Sequence, residues 1–276
     1  MGIVNVTPDS FSGDGLAGNQ RAAIDQGLAM AEAGADLLDV GGESTRPGAA
    51  PVALAEELER VVPVIGELAA ALPIPVAVDT SKPAVMRAAI QAGAALVNDV
   101  TALRGGEAPD DRQDPNVGHE TARMLAESQT PAVLMHMQNR PATMQQAPAY
   151  DDVVGEVYDF LARRVAFCVA HGLPHERLIC DPGIGFGKTT AHNLTLLRRR
   201  RLFRGLGTPL LLGFSRKRLL GALTGLDAPR QRDPAGHLLA ALADAPILRV
   251  HDVAGARLAL AVVGGYRSLS TRGSWS

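Results

Sequence analysis

Eight short apolar runs recur along the chain: Ile3 to Val6, Leu37 to Val40, Val76 to Val78, Ala95 to Val97, Ala132 to Met135, Leu178 to Cys180, Leu210 to Leu212 and Ile247 to Val250. They are nearly continuous rather than alternating, the pattern of parallel strands covered on both faces. Between them the apolar period changes. Leu54, Leu58, Val61, Val62 and Ile65, and again Val153, Val157, Phe160 and Leu161, follow the i, i+4, i+7, i+8 spacing of a one-faced helix. Eight βα units in 276 residues predict an α/β fold, a single closed (β/α)8 TIM barrel rather than an open doubly wound sheet. No composition break divides the chain, so residues 1–276 are read as one domain.

The polar stretches are lopsided. Connections entering a strand are brief: Gly34-Ala35, Leu72 to Pro75, Gly93-Ala94 and Thr130-Pro131. Those leaving a strand are long and polar: Pro8 to Gln20, Gly42 to Val52, Leu103 to Gly118 and Gln138 to Asp151. In a barrel these share one rim, where barrel active sites sit. Seven runs end in polar groups: Asn5, Asp39 with Glu43, Asp79, Asn98-Asp99, His136, Asp181, and Arg249 with His251. The eighth leads through Gly213-Phe214 into Ser215-Arg216-Lys217. Stability alone would not place an acid, amide or base at nearly every strand end.

Composition narrows the options. With 46% apolar and 4% aromatic residues the core must be aliphatic, and general disorder is excluded. The net charge of -2 offers no long-range field to attract nucleic acid or an anionic membrane, so any anionic ligand needs a local cluster. Cys168 and Cys180 make no disulfide framework or metal finger and read as buried thiols in a reducing compartment. No apolar run is long enough to span a bilayer and no basic leader precedes the first strand, which predicts a cytoplasmic protein.

Asp79, Asn98 and Asp181 offer two carboxylates and an amide, which suits a flat heterocycle presenting several N–H donors and a carbonyl. An aspartate before Thr-Ser or Pro-Gly is also a common turn cap, but three such groups on one rim favour a site. Arg46, Lys217, Arg249 and His251 can neutralise a phosphate or diphosphate. Arg198 to Arg201, away from any strand end, read as a solvated face. Pro182 to Thr189 is glycine-rich but misses the phosphate-loop template, because Pro182 stands where glycine is required. Its glycines are expected to let backbone approach a flat ligand beside Asp181. Met135, Met137 and Phe186 are candidates for an apolar bed under a ring, with core packing as the alternative. His136 reads as a packed imidazole, and His119, His171, His175, His192 and His237 as structural or solvated. The sparse oxygen ligands fit a hard divalent ion held partly by substrate phosphates, with Asn5 as its ligand.

These motifs together resemble the dihydropteroate synthase family. The matching segments are MGIVNVTPDSFS (1–12), GGESTRPG (41–48), VDTSKP (78–83), VNDV (97–100), LMHMQ (134–138), DPGIGFGK (181–188), SRKR (215–218) and RVHDV (249–253), in family order along the whole chain. The resemblance implies a transferase joining a dihydropterin methyl diphosphate to 4-aminobenzoate, with Mg2+ as cofactor and a homodimeric state. It assigns Asp79, Asn98, Asp181, Met135, Phe186, Gly213 and Lys217 to the pterin, and Asn5, Arg249 and His251 to the diphosphate and its magnesium. Thr45 falls at the diphosphate end, and Phe11, Arg46 and Pro47 on two loops forming the aminobenzoate site. Lys217, Arg249, His251, Asp79 and Asp181 are the expected catalytic set.

Three departures stand out. Family members usually carry a segment ahead of the MGI run, often a hairpin closing the barrel floor; here either the start lies upstream or the floor is covered differently. The first loop reads Phe-Ser-Gly-Asp-Gly instead of Phe-Ser-Asp-Gly-Gly, and Asp244-Ala-Pro246 is a shortened connection. A pterin-binding methyltransferase barrel would share the ring trio but not need the SRK and RVHDV cations. A catalytically silent pterin-binding paralogue would keep the trio with altered loops.

Overall fold

In a computed structural model of the protein, which describes residues 1–7, 15–45, 49–105, 114, 116–140 and 143–270, each apolar run becomes a strand. These are β1 (Gly2–Asn5), β2 (Leu38–Gly41), β3 (Val76–Asp79), β4 (Leu96–Asp99), β5 (Ala132–Met135), β6 (Leu178–Asp181), β7 (Leu211–Leu212) and β8 (Ile247–Leu248). The helices between and after them are α1 (Gly15–Glu32), α2 (Leu54–Ala71), α3 (Pro83–Gln91), α4 (His119–Glu127), α5 (Val153–Ala170), α6 (Thr190–Arg199), α7 (Arg218–Thr224), α8 (Asp233–Ala243) and α9 (Val253–Ser270). Strands β1 to β6 pair in sequence order, all parallel, and β7 pairs with β8. Single bridges close the ring: Cys180 with Leu210, and Gly2 with Val250, where Ile3 N donates to Val250 O and Val250 N to Met1 O, each at 3.0 Å. A closed barrel leaves no open sheet edge.

Side-chain alternation then places the site. Leu38, Val40, Val76, Val78, Val97, Leu134 and Cys180 belong to the large outer core beneath the helices. Met1, Ala77, Leu96, Val133 and Leu211, with Leu37, Ile179 and Ile247 against them, form a separate cluster in the barrel's interior. Because strand side chains repeat every second residue, that inner column continues upward two positions on: Leu37 to Asp39, Ala77 to Asp79, Leu96 to Asn98, Val133 to Met135, Ile179 to Asp181, Leu211 to Gly213 and Ile247 to Arg249. An aliphatic plug thus supports a polar layer that opens at the C-terminal rim.

The structure moves some boundaries. Strands β3, β4 and β6 extend through Asp79, Asp99 and Asp181, because the ladder continues past the last apolar residue. Part of the expected Pro8–Gln20 loop is helix from Gly15 onward. Its Gly and Asn read locally as loop, but Ala23, Ile24 and Met30 farther along α1 anchor the helix in the core. The solvated reading of Arg198 to Arg201 fails at Arg200. Its guanidinium donates to the carbonyls of Leu197 and Leu242, both at 3.0 Å, and of Ala243. It thereby caps the end of α8, whose last carbonyls have no partner within the helix. Both cysteines are buried free thiols.

Candidate active site

The polar layer has two differently built halves. On the β2–β3–β4–β8 side, Arg249 reaches across the barrel mouth and pairs with two acids, Nε to Asp39 Oδ2 at 2.5 Å and a terminal nitrogen to Asp79 Oδ2 at 2.6 Å. Asp39 Oδ2 also accepts from Asn98 Nδ2 at 2.8 Å. That bond fixes the Asn98 amide, leaving its carbonyl oxygen and one N–H for a ligand. Burial pushes the Asp79 carboxyl up to about 7, with Arg249 opposing and the acids Asp39, Asp99 and Glu57 adding to the rise. Burial also works against the Arg249 charge, yet Asp39 and Asp79 outweigh it and hold the guanidinium protonated. Asp79 does not cap the turn after it; Thr80 does, accepting from Lys82 N at 3.2 Å. Asp99, beside Asn98, is a turn cap, accepting from Thr101 N and Leu103 N at 2.7 and 2.9 Å.

On the β5–β6–β7 side the site is made of backbone held in place by side chains. Asp181 Oδ1 accepts from Gly183 N at 2.7 Å, and Asn193 Oδ1 from Gly185 N at 2.7 Å. The loop carbonyls each receive a donor: Ile184 O from Lys217 Nζ at 2.5 Å, Gly185 O from Gln145 at 2.6 Å, Phe186 O from Lys188 Nζ at 2.9 Å and Gly187 O from Tyr150 at 2.9 Å. With Phe186 N bonded to Gly183 O, these amides are spent internally, so this is no phosphate cradle. Two of the glycines are required by the protein's own packing. A Cβ on Gly183 (φ +68°) would lie 1.9 Å from His136 O, and one on Gly187 (φ +62°) 2.5 Å from Gln138 O. At these two positions they admit the backbone that follows β5.

Lys217 Nζ lies 4.3 Å from the Phe186 ring centroid, and burial lowers its ammonium to about 8 against the pull of Asp181. Burial raises the Asp181 carboxyl, with Lys217 as the leading opposing influence. Met135, Met137, Met144, Phe186 and Val100 make a buried apolar cluster beside this half. Gly213 has no side chain between the two cations: a Cβ there would approach Arg249 Cβ at 3.7 Å and Lys217 Nζ at 4.0 Å.

His251, after β8, meets Ser215 after the neighbouring strand β7, Nδ1 to Oγ at 3.0 Å. Arg216 of the same segment is structural, forking onto Asp233. Asn5 ends β1, partly exposed and in register with Gly41. Among the described residues no three His, Cys, Asp or Glu side chains gather as a metal cage. A lone amide oxygen on a rim fits a magnesium ion that takes most of its ligands from phosphate and water. Thr45 is half-buried in the segment after β2. That segment is anchored by Arg60 to Gly42 O at 2.7 Å and by Lys82, whose Nζ binds Glu43 and Glu57. Phe11, Arg46 and Pro47 lie outside the described residues.

Sequence reasoning left out Asp39, Lys188 and Lys82. Asp39 stood in the strand-end pattern, and the two lysines lie inside matched segments. Lys188 is buried, bonded to His136 Nδ1 at 2.9 Å, and burial holds its ammonium well below the usual lysine range. His136 is the packed imidazole expected, in edge contact with Phe160 at 5.0 Å.

Residues 1–251 match the family described as pterin binding enzyme. The dihydropteroate synthase of Escherichia coli (strain K12) is 43% identical over 256 residues, covering 92% of this chain and 86% of that protein. A Xanthomonas albilineans dihydropteroate synthase solved with 4-aminobenzoic acid superposes with a TM-score of 0.85 at 49% identity, covering 97% of this chain and 92% of that one. The same organism's enzyme in complex with 7,8-dihydropteroate gives a TM-score of 0.82 at 47% identity with the same coverage.

Proposed function

The chain belongs to the dihydropteroate synthase family of pterin-binding enzymes, and from that membership we propose how its rim performs the transfer. The protein is a transferase of folate synthesis, condensing (7,8-dihydropterin-6-yl)methyl diphosphate with 4-aminobenzoate to 7,8-dihydropteroate and diphosphate. The methylene carbon–oxygen bond breaks with its electron pair leaving on diphosphate, the amine nitrogen bonds to that carbon, and one amine proton passes to the leaving group or to solvent.

The observation that carries the reading is the acceptor set at one barrel rim: Asp79 ending β3, Asp181 ending β6 and the fixed carbonyl of Asn98 on β4. In our reading they hold the N–H-rich edge of the pterin, with Met135 and Phe186 along its faces and Lys217 at the polar edge near Gly213. As the carbon–oxygen bond breaks, positive charge develops on the pterin side, and the two carboxylates stabilise it from preset positions. Arg249 and His251 receive the diphosphate, with Thr45 at the same end. The loop residues Phe11, Arg46 and Pro47 take the aminobenzoate and exclude water. Magnesium held by Asn5 and by the diphosphate's own oxygens would neutralise charge on the leaving group.

The finer features follow the same reading. We place residues 1–276 in one domain, a reading supported by β1 to β6 pairing in sequence order and by the single bridges that join the β7–β8 pair to both ends of that sheet. A homodimer is supported by a stripe of exposed apolar side chains, Leu238 and Leu242 on α8 and Leu258, Val262 and Tyr266 on α9, between 51% and 75% exposed. No helix among the described residues is long and apolar enough to cross a membrane, and we place the protein in the cytoplasm.

The test supplies purified protein with Mg2+, the dihydropterin diphosphate and 4-aminobenzoate. Dihydropteroate is the expected product; folded protein that binds pterin yet makes none would support the silent paralogue instead. Asn5→Ala should raise the Mg2+ concentration needed for half-maximal diphosphate binding by calorimetry, and an unchanged requirement removes Asn5 as ligand. Light scattering should return twice the 28.9 kDa chain mass, and a monomer overturns the dimer.

A further inference from the structure

Asp39 is the buried acid that no role above uses. Its register partners on β1 and β3 are Ile3 and Ala77, so it borders the aliphatic plug at the base of the polar layer. It is fully buried, its Oδ2 takes hydrogen bonds from Arg249 Nε and Asn98 Nδ2, and its Oδ1 has no hydrogen-bond partner among the described residues. A carboxylate at this depth is costly, and an unmet oxygen adds to the cost. Two active-site residues from two different strands meet on one oxygen of this group, and that convergence is what the buried charge achieves.

We propose that Asp39 is a positioning residue: through one oxygen it sets the amide orientation of Asn98 and holds Arg249 over the barrel mouth, so that ring recognition and diphosphate departure share a single buried support. Asp39 touches neither substrate. Without it, the Asn98 amide is free to turn over, presenting N–H where the ring needs an acceptor, and Arg249 keeps Asp79 as its partner but loses the second point that fixes its reach. A two-point clamp on a guanidinium fixes direction as well as charge.

The inference rests on the synthase reading only where turnover is measured, so the test also reads binding of 6-hydroxymethylpterin by calorimetry. Asp39→Asn keeps an oxygen for the two donors and removes the charge. The expected result is folded protein with Tm within a few degrees, pterin affinity lowered about tenfold and kcat/KM lowered about 10–100-fold, the range of one charged hydrogen bond. A second readout separates positioning from general damage. Asp79 faces Arg249 from β8, Asp39 from β2, Asp99 from β4 and Glu57 from α2, and removing the Asp39 charge should move the acid limb of kcat/KM to lower pH. Unchanged affinity and kcat/KM overturn the proposal. So does a loss of activity that tracks a fallen Tm with the acid limb in place. If Asp39→Asn does not fold, Asp39→Glu decides, because it retains charge and shifts the oxygen. Lowered pterin affinity with the limb unmoved supports positioning, and wild-type affinity overturns it. Wild-type protein that binds pterin but makes no product defeats the synthase reading and leaves the binding arm intact.

Discussion

The two halves of the rim reach order by different physics. Around β2, β3, β4 and β8 the order is electrostatic: Arg249 bridges Asp39 and Asp79, and Asn98 leans on the same oxygen. Around β5, β6 and β7 it is steric and local: glycines at positive φ let the 183–187 backbone lie against the carbonyls after β5, and Asn193, Gln145, Tyr150, Lys188 and Lys217 tie it down. The first half depends on charges that compensate one another. In the second, the limiting quantity is space, so the halves should break under different substitutions.

Removing the bridge should have the largest effect. Arg249→Ala leaves Asp39 and Asp79 buried without a counter-charge, and breaking a buried pair from one side costs about 3–5 kcal/mol. In a domain of this size that lowers Tm by roughly 10 °C, and the loss of leaving-group stabilisation lowers kcat by about 100–1,000-fold. Thermal unfolding and steady-state kinetics on one preparation check both. An unchanged Tm would mean the electrostatic half stands without its bridge. In the other half, Gly183→Ala should act through space alone. Its methyl would lie 1.9 Å from His136 O, and the strain of about 1–3 kcal/mol should push the loop and Phe186 away from the ring, lowering pterin affinity about tenfold while leaving the acid limb of the pH profile in place. Calorimetric binding equal to wild type would show that the loop tolerates displacement.

The halves also differ in how much of them could be read in advance. Residues at strand ends were legible because the two-residue period carries the apolar inner column directly onto Asp79, Asn98, Asp181 and Arg249. Contacts between strands far apart in sequence were not. Asp39 and Arg249 are separated by 210 positions, and no local pattern says that a strand-end acid points at a strand-end base rather than at a ligand. The glycine loop shows the same limit. Composition marks a backbone that needs positive φ, but what approaches it, here the carbonyls after β5, is decided by a different strand. Arg200 was misread because four consecutive arginines resemble a solvated face, and only the neighbouring end of α8 tells one from the rest.

The smallest expected effect separates the halves by pH and follows from the sign of each shift. Asp79 titrates at 3.8 unfolded and about 7 folded. Between those values the folded protein binds more protons, so this group's contribution is fully present below about 4 and is lost as pH rises through 7. Lys217 shifts the other way, from 10.5 unfolded to about 8 folded. Between about 8 and 10.5 the unfolded chain holds the extra proton, so stability from this group rises with pH across that window. Each contribution has a limiting slope of about 1.4 kcal/mol per pH unit. Denaturant midpoints measured from pH 4 to 10.5 should show the acid-side slope flattened in Asp79→Asn and the alkaline slope flattened in Lys217→Met, with Asp79→Asn changing the alkaline window only slightly, since burial, Asp181 and Arg249 all act on Lys217 more strongly than Asp79 does. If Asp79→Asn altered the alkaline window as strongly as its own, the Arg249 bridge would govern the Lys217 charge, and the rim would be one charge network rather than two halves.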